Sequence, residues 1–269
     1  MSEARHLVHT PAATLARYVR EILYVRSERP RMQMLLPETT LTLVLRQSGR
    51  ASLANQALPD AILSGLQPRT RLVEHAAHSS LIIVRFTEVG ASAILHDRVD
   101  HLYNQTVPLA NLLPRQQIDD IQNVLAGTRS VHGKFLAVES FLTSRLQRQN
   151  GTFPRPISPQ IEAAVNLIRN SQGRASIAAI ARHAAMSQST LERHFRIAVG
   201  ATPKTFSRLA RLQHIFRLWD AGKNLTDIAF AAGYCDQPHL VHDFRLFTGA
   251  SPEEFFRRAT PRNLPTFYK

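Results

Sequence analysis

Two segments of the chain carry hydrogen-bonding side chains at spacings that would place them together on one side of a helix. In the first segment these residues are Gln188, Ser189, Glu192, Arg193 and Arg196. In the second they are Gln237, His239, His242 and Arg245. Arginine can donate two hydrogen bonds to guanine O6 and N7, glutamine can bond adenine, and glutamate can accept from the amino group of cytosine. The same side chains could instead be solvated, or contact phosphate without discriminating between bases.

The two segments are copies of one sequence pattern. Ser187–Pro203 matches Asp236–Pro252 at an offset of 49 residues, with leucine, phenylalanine, arginine, glycine and proline at equivalent positions. Upstream, Ile180-Ala181 matches Ile228-Ala229 at an offset of 48, so the second copy has one additional residue near Gly233-Tyr234-Cys235. An internal repeat of this kind indicates that one structural unit occurs twice.

Each copy predicts a short helix, a tight turn and a second helix. The first helix is rich in alanine, which allows close helix crossing. In the second helix Leu191 and Phe195 are spaced i, i+4, as are Leu240 and Phe244, so they anchor one face to the core. The opposite face is then free and polar. This is the helix-turn-helix pattern, whose second helix enters the major groove of DNA.

The whole stretch from 158 to 262 predicts an all-α domain. Most of its helices have a residue with N-cap preference at the start. These N-cap candidates are Ser176, Ser187, Thr202, Asn224, Asp236 and Ser251. The expected helices are 159–170, 176–184, 188–198, 203–221, 225–232, 237–247 and 252–258. On the longest helix, Lys204, Arg208 and Arg211 are candidate phosphate contacts, or simply its solvated face.

Residues 158–258 resemble the AraC/XylS family of transcription regulators. The run Asp227–Tyr234, followed by Asp236–Leu240, is similar to the signature of that family's second helix-turn-helix unit. The resemblance implies two such units joined by a long helix, here Thr202–Ala221. It also implies that Ser189, Glu192 and Arg193 face base edges. The family often has arginine where His242 stands, which weakens the case for a guanine contact at that position.

Residues 1–150 mix strand-like and helical patterns, which makes the chain α+β as a whole. Strands are expected within about 30–90, as a compact sheet or barrel, after a short helix that starts at Thr10-Pro11 and carries Leu15, Val19 and Ile22. Two amphipathic helices are expected within about 114–148. Their apolar stripes contain Ile118, Ile121, Val124 and Leu125, and then Phe135, Val138, Phe141, Leu142 and Leu146. These helices either cover the sheet or form a dimer seam.

A linker is expected at 150–157, where glycine and two prolines interrupt both periodicities. The order of strands then helices, with Val84-Arg85-Phe86 before Val89-Gly90-Ala91, is similar to the effector or oligomerisation domain of one regulator subgroup. The resemblance therefore implies that residues 1–150 form an effector or oligomerisation domain.

Composition excludes several classes of protein. The formal charge is +13 with 44% apolar residues, which favours a folded chain with a polyanionic partner. The single cysteine, Cys235, rules out an intramolecular disulfide framework. No apolar run is long enough to span a membrane, and the N-terminal residues lack the apolar core of a signal peptide, so a cytoplasmic location is expected.

The chain offers no motif for catalysis. His75, His78, His96 and His101 lack the HxH spacing with a downstream carboxylate, so we expect no metal site and no cofactor. Phosphate-binding glycine loops and hydrolase motifs are absent from the sequence.

The sequence therefore predicts a transcription regulator that binds double-stranded DNA. A small-molecule effector or homodimer formation through the N-terminal domain would modulate it, and RNA polymerase is a further candidate partner. The alternatives are an N-terminal domain that binds a protein partner, an N-terminal enzyme domain, and association of the basic surface with membranes.

Overall fold

A computed structural model describes residues 5–147, 158–219 and 224–258. Strands dominate its N-terminal part and helices its C-terminal part, which confirms the α+β prediction. The expected linker at 150–157 lies outside the described residues. The connecting helix, expected to reach Ala221, ends at Leu218 with Trp219 as its C-cap, so its expected end is wrong by about one turn. None of the helices in the described ranges combines the length and hydropathy needed to cross a lipid bilayer.

In the described residues, ten strands form two antiparallel sheets. One has the order β1-β2-β9-β4-β7-β10 and the other β3-β8-β5-β6. The strands are β1 Arg5–His9, β2 Val19–Ser27, β3 Arg31–Leu35, β4 Thr42–Ser48, β5 Ala51–Leu53, β6 Gln56–Ala57, β7 Ala61–Ser64, β8 Arg71–His75, β9 Ser79–Phe86 and β10 Thr106–Pro108. The strands therefore extend beyond the expected range of about 30–90 at both ends.

The part of the chain that the structure describes also contains ten α-helices. They are α1 Gly90–Leu95, α2 Arg115–Gly127, α3 Val131–Gln147, α4 Pro159–Asn170, α5 Ile177–His183, α6 Gln188–Val199, α7 Pro203–Leu218, α8 Leu225–Ala231, α9 Gln237–Thr248 and α10 Pro252–Arg258. Single 3₁₀ turns occur at Asp100–Leu102 and Leu109–Asn111.

Strand β4 shows how the N-terminal domain uses the two faces of its larger sheet. Successive side chains of a strand point to opposite faces. Leu43 and Leu45 are buried on the face that meets α2, where the Gln47 amide nitrogen donates to Gln122 at 3.1 Å. Thr42, Val44 and Arg46 instead face a cavity between the sheets.

Two sequence expectations in this region are wrong. Residues 13–18 form turns, and Val19 and Ile22 belong to β2 instead of a helix. Strand β2 lies between β1 and β9 and is buried on both faces, so its apolar run does not alternate and resembles a helical pattern. Val124 is 52% exposed, because it lies about 100° around α2 from its buried neighbour Leu125.

Gly65 should be intolerant of any side chain. A Cβ at this position would lie 1.8 Å from the carbonyl oxygen of Leu102, so the chain around Leu102 would have to move. We expect Gly65→Ala to lower the free energy of unfolding by about 1–3 kcal/mol, measured by urea denaturation. Gly127→Ala, with nothing within 4 Å of the new Cβ, is the control and should not destabilise the protein. Equal midpoints and slopes for Gly65→Ala and the wild type would contradict this packing.

Candidate nucleic-acid interface

The C-terminal domain contains two helix pairs with the same turn. In the first pair, α5 and α6, the amide of Met186 donates to the carbonyl of Ala181 at 3.0 Å. In the second, α8 and α9, Tyr234 donates to Ala229 at 2.9 Å. The first turn spans 184–187 and the second 232–236. The additional residue of the second copy therefore lies after Tyr234, as the change of offset predicts.

Both second helices begin at side-chain caps. The Ser187 hydroxyl accepts from the amide of Thr190 at 3.2 Å, and the Asp236 carboxylate accepts from the amide of His239 at 2.8 Å. The other N-cap candidates, Ser176, Thr202, Asn224 and Ser251, accept in the same way. Caps of this type contribute about 1 kcal/mol each and fix where a helix starts. They therefore set which side chains face outward.

Helix α7 holds the two units through aromatic contacts. Leu191, Phe195, Leu240 and Phe244 are completely buried. The ring of Phe195 meets Phe206 of α7 edge-on at 5.4 Å between centroids. The ring of Phe244 meets Phe216, ten residues further along α7, at 5.7 Å. One helix thus fixes the position of both α6 and α9.

The polar face of α6 is open to solvent. All five candidates on it, Gln188, Ser189, Glu192, Arg193 and Arg196, are exposed. Glu192 accepts from the guanidinium of Arg196 at 3.0 Å. The guanidinium of Arg193 lies 3.2 Å from Nε2 of His194. The face therefore presents amide, hydroxyl, carboxylate and guanidinium groups within about two helical turns.

The candidate side chains on the corresponding face of α9 differ in their exposure. His239, His242 and Arg245 are exposed, whereas Gln237 is half-buried. The side-chain oxygen of Gln237 accepts from the Thr226 hydroxyl at 3.1 Å, which ties it to α8. The ring of His239 stands edge-on against Tyr234, 5.1 Å between centroids. The structure thus brings the four candidates onto one helix, with Gln237 the least accessible.

An ion pair that sequence reasoning missed locks α9 to α7. Asp243 is buried, and its carboxylate accepts from Arg208 Nη2 at 2.7 Å and Nε at 3.3 Å. Burial, and secondly the Asp243 carboxylate, raise the pKa of Tyr234, so its hydroxyl stays protonated and faces the same carboxylate at 3.5 Å. The sequence signal was present, because Asp243 lies three residues after Leu240 on the buried side of α9.

This ion pair changes the assignment of the α7 cations. Arg208 is half-buried and bonded to Asp243, so it is not an open phosphate contact. Arg211 lies over the Tyr234 ring, 5.1 Å from its centroid. Lys204, in contrast, is exposed.

The histidines considered as metal ligands do not come together. His75 lines the cavity of the N-terminal domain, while His78 is exposed and pairs with Glu28 at 2.8 Å. His96 lies within hydrogen-bond distance of the Arg145 carbonyl. Within the described ranges, no group of three or more His, Cys, Asp or Glu side chains could hold a metal ion.

Comparison with known proteins assigns the C-terminal domain. A helix-turn-helix domain family (HTH_18) matches residues 180–258. The C-terminal region is an AraC-type helix-turn-helix domain. A domain of unknown function (DUF6597) matches residues 7–108, upstream of the AraC-type domain. No curated protein matches the chain.

Two solved structures are similar to the chain at low identity. ToxT from Vibrio cholerae is 12% identical with a TM-score of 0.48, over 96% of this chain and 100% of ToxT. The C-terminal domain of AraT, a response regulator from Geobacillus stearothermophilus, is 20% identical with a TM-score of 0.37, over 42% of this chain and 93% of that domain.

Removing the Asp243 carboxylate should loosen the second unit of the AraC-type domain. Asp243→Ala leaves Arg208 and the Tyr234 hydroxyl without their acceptor in a largely buried position. We expect a loss of about 2 kcal/mol in unfolding free energy, below the roughly 3–5 kcal/mol for a fully buried pair because Arg208 is about a quarter exposed. His242→Ala, on the exposed side of the same helix, should change stability by less than about 0.5 kcal/mol. Chemical denaturation of both variants checks this, and equal losses would refute the ion-pair role.

Proposed function

We propose that this protein is a sequence-specific DNA-binding transcription regulator that recognises two successive major grooves. The observation that carries the proposal is the pair of exposed polar faces on α6 and α9, both held by the single helix α7. The AraC-type match over residues 180–258 supports it. We assign no enzymatic activity to the chain.

Two recognition helices on one rigid connector suit a site with two separate half-sites. Successive major grooves on one face of B-DNA are one turn apart, about 34 Å or ten base pairs. We therefore expect selection of bound sequences from a random duplex pool, at physiological salt, to enrich two blocks about ten base pairs apart. Retention without an enriched motif would mean that the positive charge binds DNA without base recognition, and would refute the proposal.

Arg193 is the strongest candidate for direct base contact. It is exposed in the middle of α6, and arginine pairs with guanine in a bidentate geometry. We expect Arg193→Ala to weaken binding to the selected site by about 1–3 kcal/mol and to relax specificity at one base pair. Fluorescence anisotropy with the selected site and with a scrambled duplex measures both effects.

The control for charge is Arg115→Ala. Arg115 is exposed on α2 of the N-terminal domain, so its loss removes the same charge far from the proposed interface. It should leave the preference for the selected site unchanged. If Arg193→Ala weakens binding to selected and scrambled DNA equally, Arg193 contacts phosphate alone.

The N-terminal domain is proposed to modulate DNA binding. Its backbone bonds the C-terminal turns of both recognition helices: the Val99 amide donates to Ile197 of α6 at 3.0 Å, and the Thr70 amide donates to Phe247 of α9 at 2.9 Å. The loop of residues 65–70 continues directly from the cavity wall, where Gln67 donates to the Gln105 carbonyl at 2.7 Å. Occupancy of the cavity would shift the population of domain arrangements that fit DNA.

Homodimer formation is the second mode of modulation in this proposal. Val124 on α2 and Leu136 on α3 are about half exposed, and large exposed apolar side chains favour an interface with another chain. Light scattering across a concentration series distinguishes monomer from dimer. The assignment of RNA polymerase as a partner stays a prediction of the family resemblance.

A further inference from the structure

The N-terminal domain encloses a cavity with an unusual combination of apolar walls and buried charge. Its volume is about 120 Å³, and it lies between the inward faces of β3, β4, β7, β8 and β9. Most of the lining surface is apolar, and nine of the 21 lining residues are aliphatic. They include Leu35, Val44, Leu53, Ile62, Val73 and Ile83. Such a site suits a ligand with an apolar body and a few fixed polar contacts.

Three arginines line this cavity, and one of them is neutralised by protein carboxylates. Arg85 donates to Glu21 and to Glu38, the latter at 2.8 Å. Among the described residues that line the cavity, Glu38 is the only carboxylate, and it is already bound to Arg85. The positive charges of Arg46 and Arg71 therefore have no carboxylate inside the cavity.

Arg46 and Arg71 have hydrogen-bond donors without acceptors. The Arg46 side chain is 2% exposed, and among the described residues its Nε and Nη1 have no hydrogen-bond partner. The Asp60 carbonyl accepts from the Arg46 backbone amide at 2.6 Å. The Asp60 side chain is 73% exposed, and its Oδ1 lies 3.4 Å from Nε without making a hydrogen bond to it. Arg71 donates to the neutral oxygens of Thr106 and Ser64, while its Nε lacks an acceptor within the described ranges.

The electrostatics of the cavity favour an anion. Burial lowers the pKa of Arg46, and lowers that of Arg71 to about 10, so both stay protonated at neutral pH. His75 is neutral there, because burial and then the charges of Arg31 and Arg46 lower its pKa to about 3. Buried N–H groups without an acceptor are costly. An anionic ligand would supply the missing oxygens and offset the buried charge.

We propose that the cavity binds a small carboxylate with an apolar body no larger than a benzene ring, its oxygens bonded to the unpaired N–H groups of Arg46. Guanidinium and carboxylate pair through short charge-assisted hydrogen bonds. Arg71, bonded to Ser64 and Thr106 nearer the other end of β4, adds positive charge to the cavity. An engineered apolar protein cavity of about 150 Å³ binds benzene, so a volume of about 120 Å³ limits the ligand to a body of one ring or less. The inference rests on the proposed modulation by the N-terminal domain and names the chemical class of its effector.

The test uses the full chain without DNA. Benzoate and hexanoate are titrated by calorimetry and by thermal unfolding, beside benzyl alcohol, hexanol and inorganic phosphate. We expect the two carboxylates to bind and to raise Tm with concentration, and the alcohols and phosphate to have no effect. Equal effects of carboxylate and alcohol, tighter binding of phosphate, or no carboxylate binding at millimolar concentration would each overturn the proposal.

Variants assign the contact to Arg46. Arg46→Met should weaken benzoate binding at least tenfold while retaining the wild-type circular dichroism spectrum, since it removes charged hydrogen bonds. Arg71→Met removes positive charge without removing a contact and should weaken binding less. Arg50→Met, an exposed arginine outside the cavity, is the matched control and should bind benzoate normally. Unchanged affinity in a folded Arg46→Met would overturn the assignment. If a variant does not fold, the comparison of carboxylate with alcohol on the wild type decides.

The DNA selection described above is independent of this titration. Carboxylate binding without an enriched DNA motif would leave the ligand assignment standing and refute the proposed function. An enriched motif without carboxylate binding would support the proposed function and refute the ligand assignment. When both hold, benzoate should change the affinity for the selected duplex, and this change should disappear in Arg46→Met.

Discussion

The packing of α7 against both recognition helices is the constraint on which the DNA-binding end of this molecule depends. A recognition helix can compare bases only if its angle and depth in the groove are fixed. Here Phe206 holds Phe195 of α6 and Phe216 holds Phe244 of α9. The Arg208–Asp243 ion pair adds a directional contact between α7 and α9. The two polar faces are therefore parts of one rigid body instead of two tethered modules.

In the C-terminal domain, the packing that positions the polar faces also stabilises the fold. In the N-terminal domain, the cavity proposed to bind a ligand lowers stability. Strands that face a cavity lose the packing that a filled core would supply, and buried guanidinium groups add a desolvation cost. The sheet around the cavity compensates with a dense apolar face toward α2 and α3, where Leu43, Leu45, Phe135 and Leu142 are buried. A protein that retains charge at such a position at the expense of stability commonly uses it for a ligand.

Sequence reasoning succeeded where structure is determined locally. The caps at Ser187 and Asp236, the helix starts of the C-terminal domain and the repeat depend on residues within a few positions of one another. It failed where the outcome depends on distant partners. Val19 and Ile22 form a strand because β1 and β9 flank them. Arg46 and Arg71 become cavity residues because strands far apart in sequence enclose the same space.

The residues of the candidate DNA-binding site show the same contrast between features set by nearby residues and features set by other elements. The exposed face of α6 follows from the spacing of Leu191 and Phe195 alone, and all five of its residues are accessible. Gln237 is tied to Thr226 across the turn, a contact that the spacing of α9 does not reveal. Asp243 occupies the position equivalent to His194 in the repeat, so a comparison of the copies would have shown a buried carboxylate against a half-buried histidine.

The contact between the domains has a simple physical basis. The last carbonyls of any helix lack partners within the helix. In α6 and α9, the Ile197 and Phe247 carbonyls obtain theirs from Val99 and Thr70 of the N-terminal domain. Each such hydrogen bond contributes about 0.5–1.5 kcal/mol. That overlaps the lower end of ordinary allosteric coupling energies, about 1–3 kcal/mol. Under the proposed function, loss of one of these hydrogen bonds would change how the N-terminal domain contacts one recognition helix, while the packing on α7 stays in place.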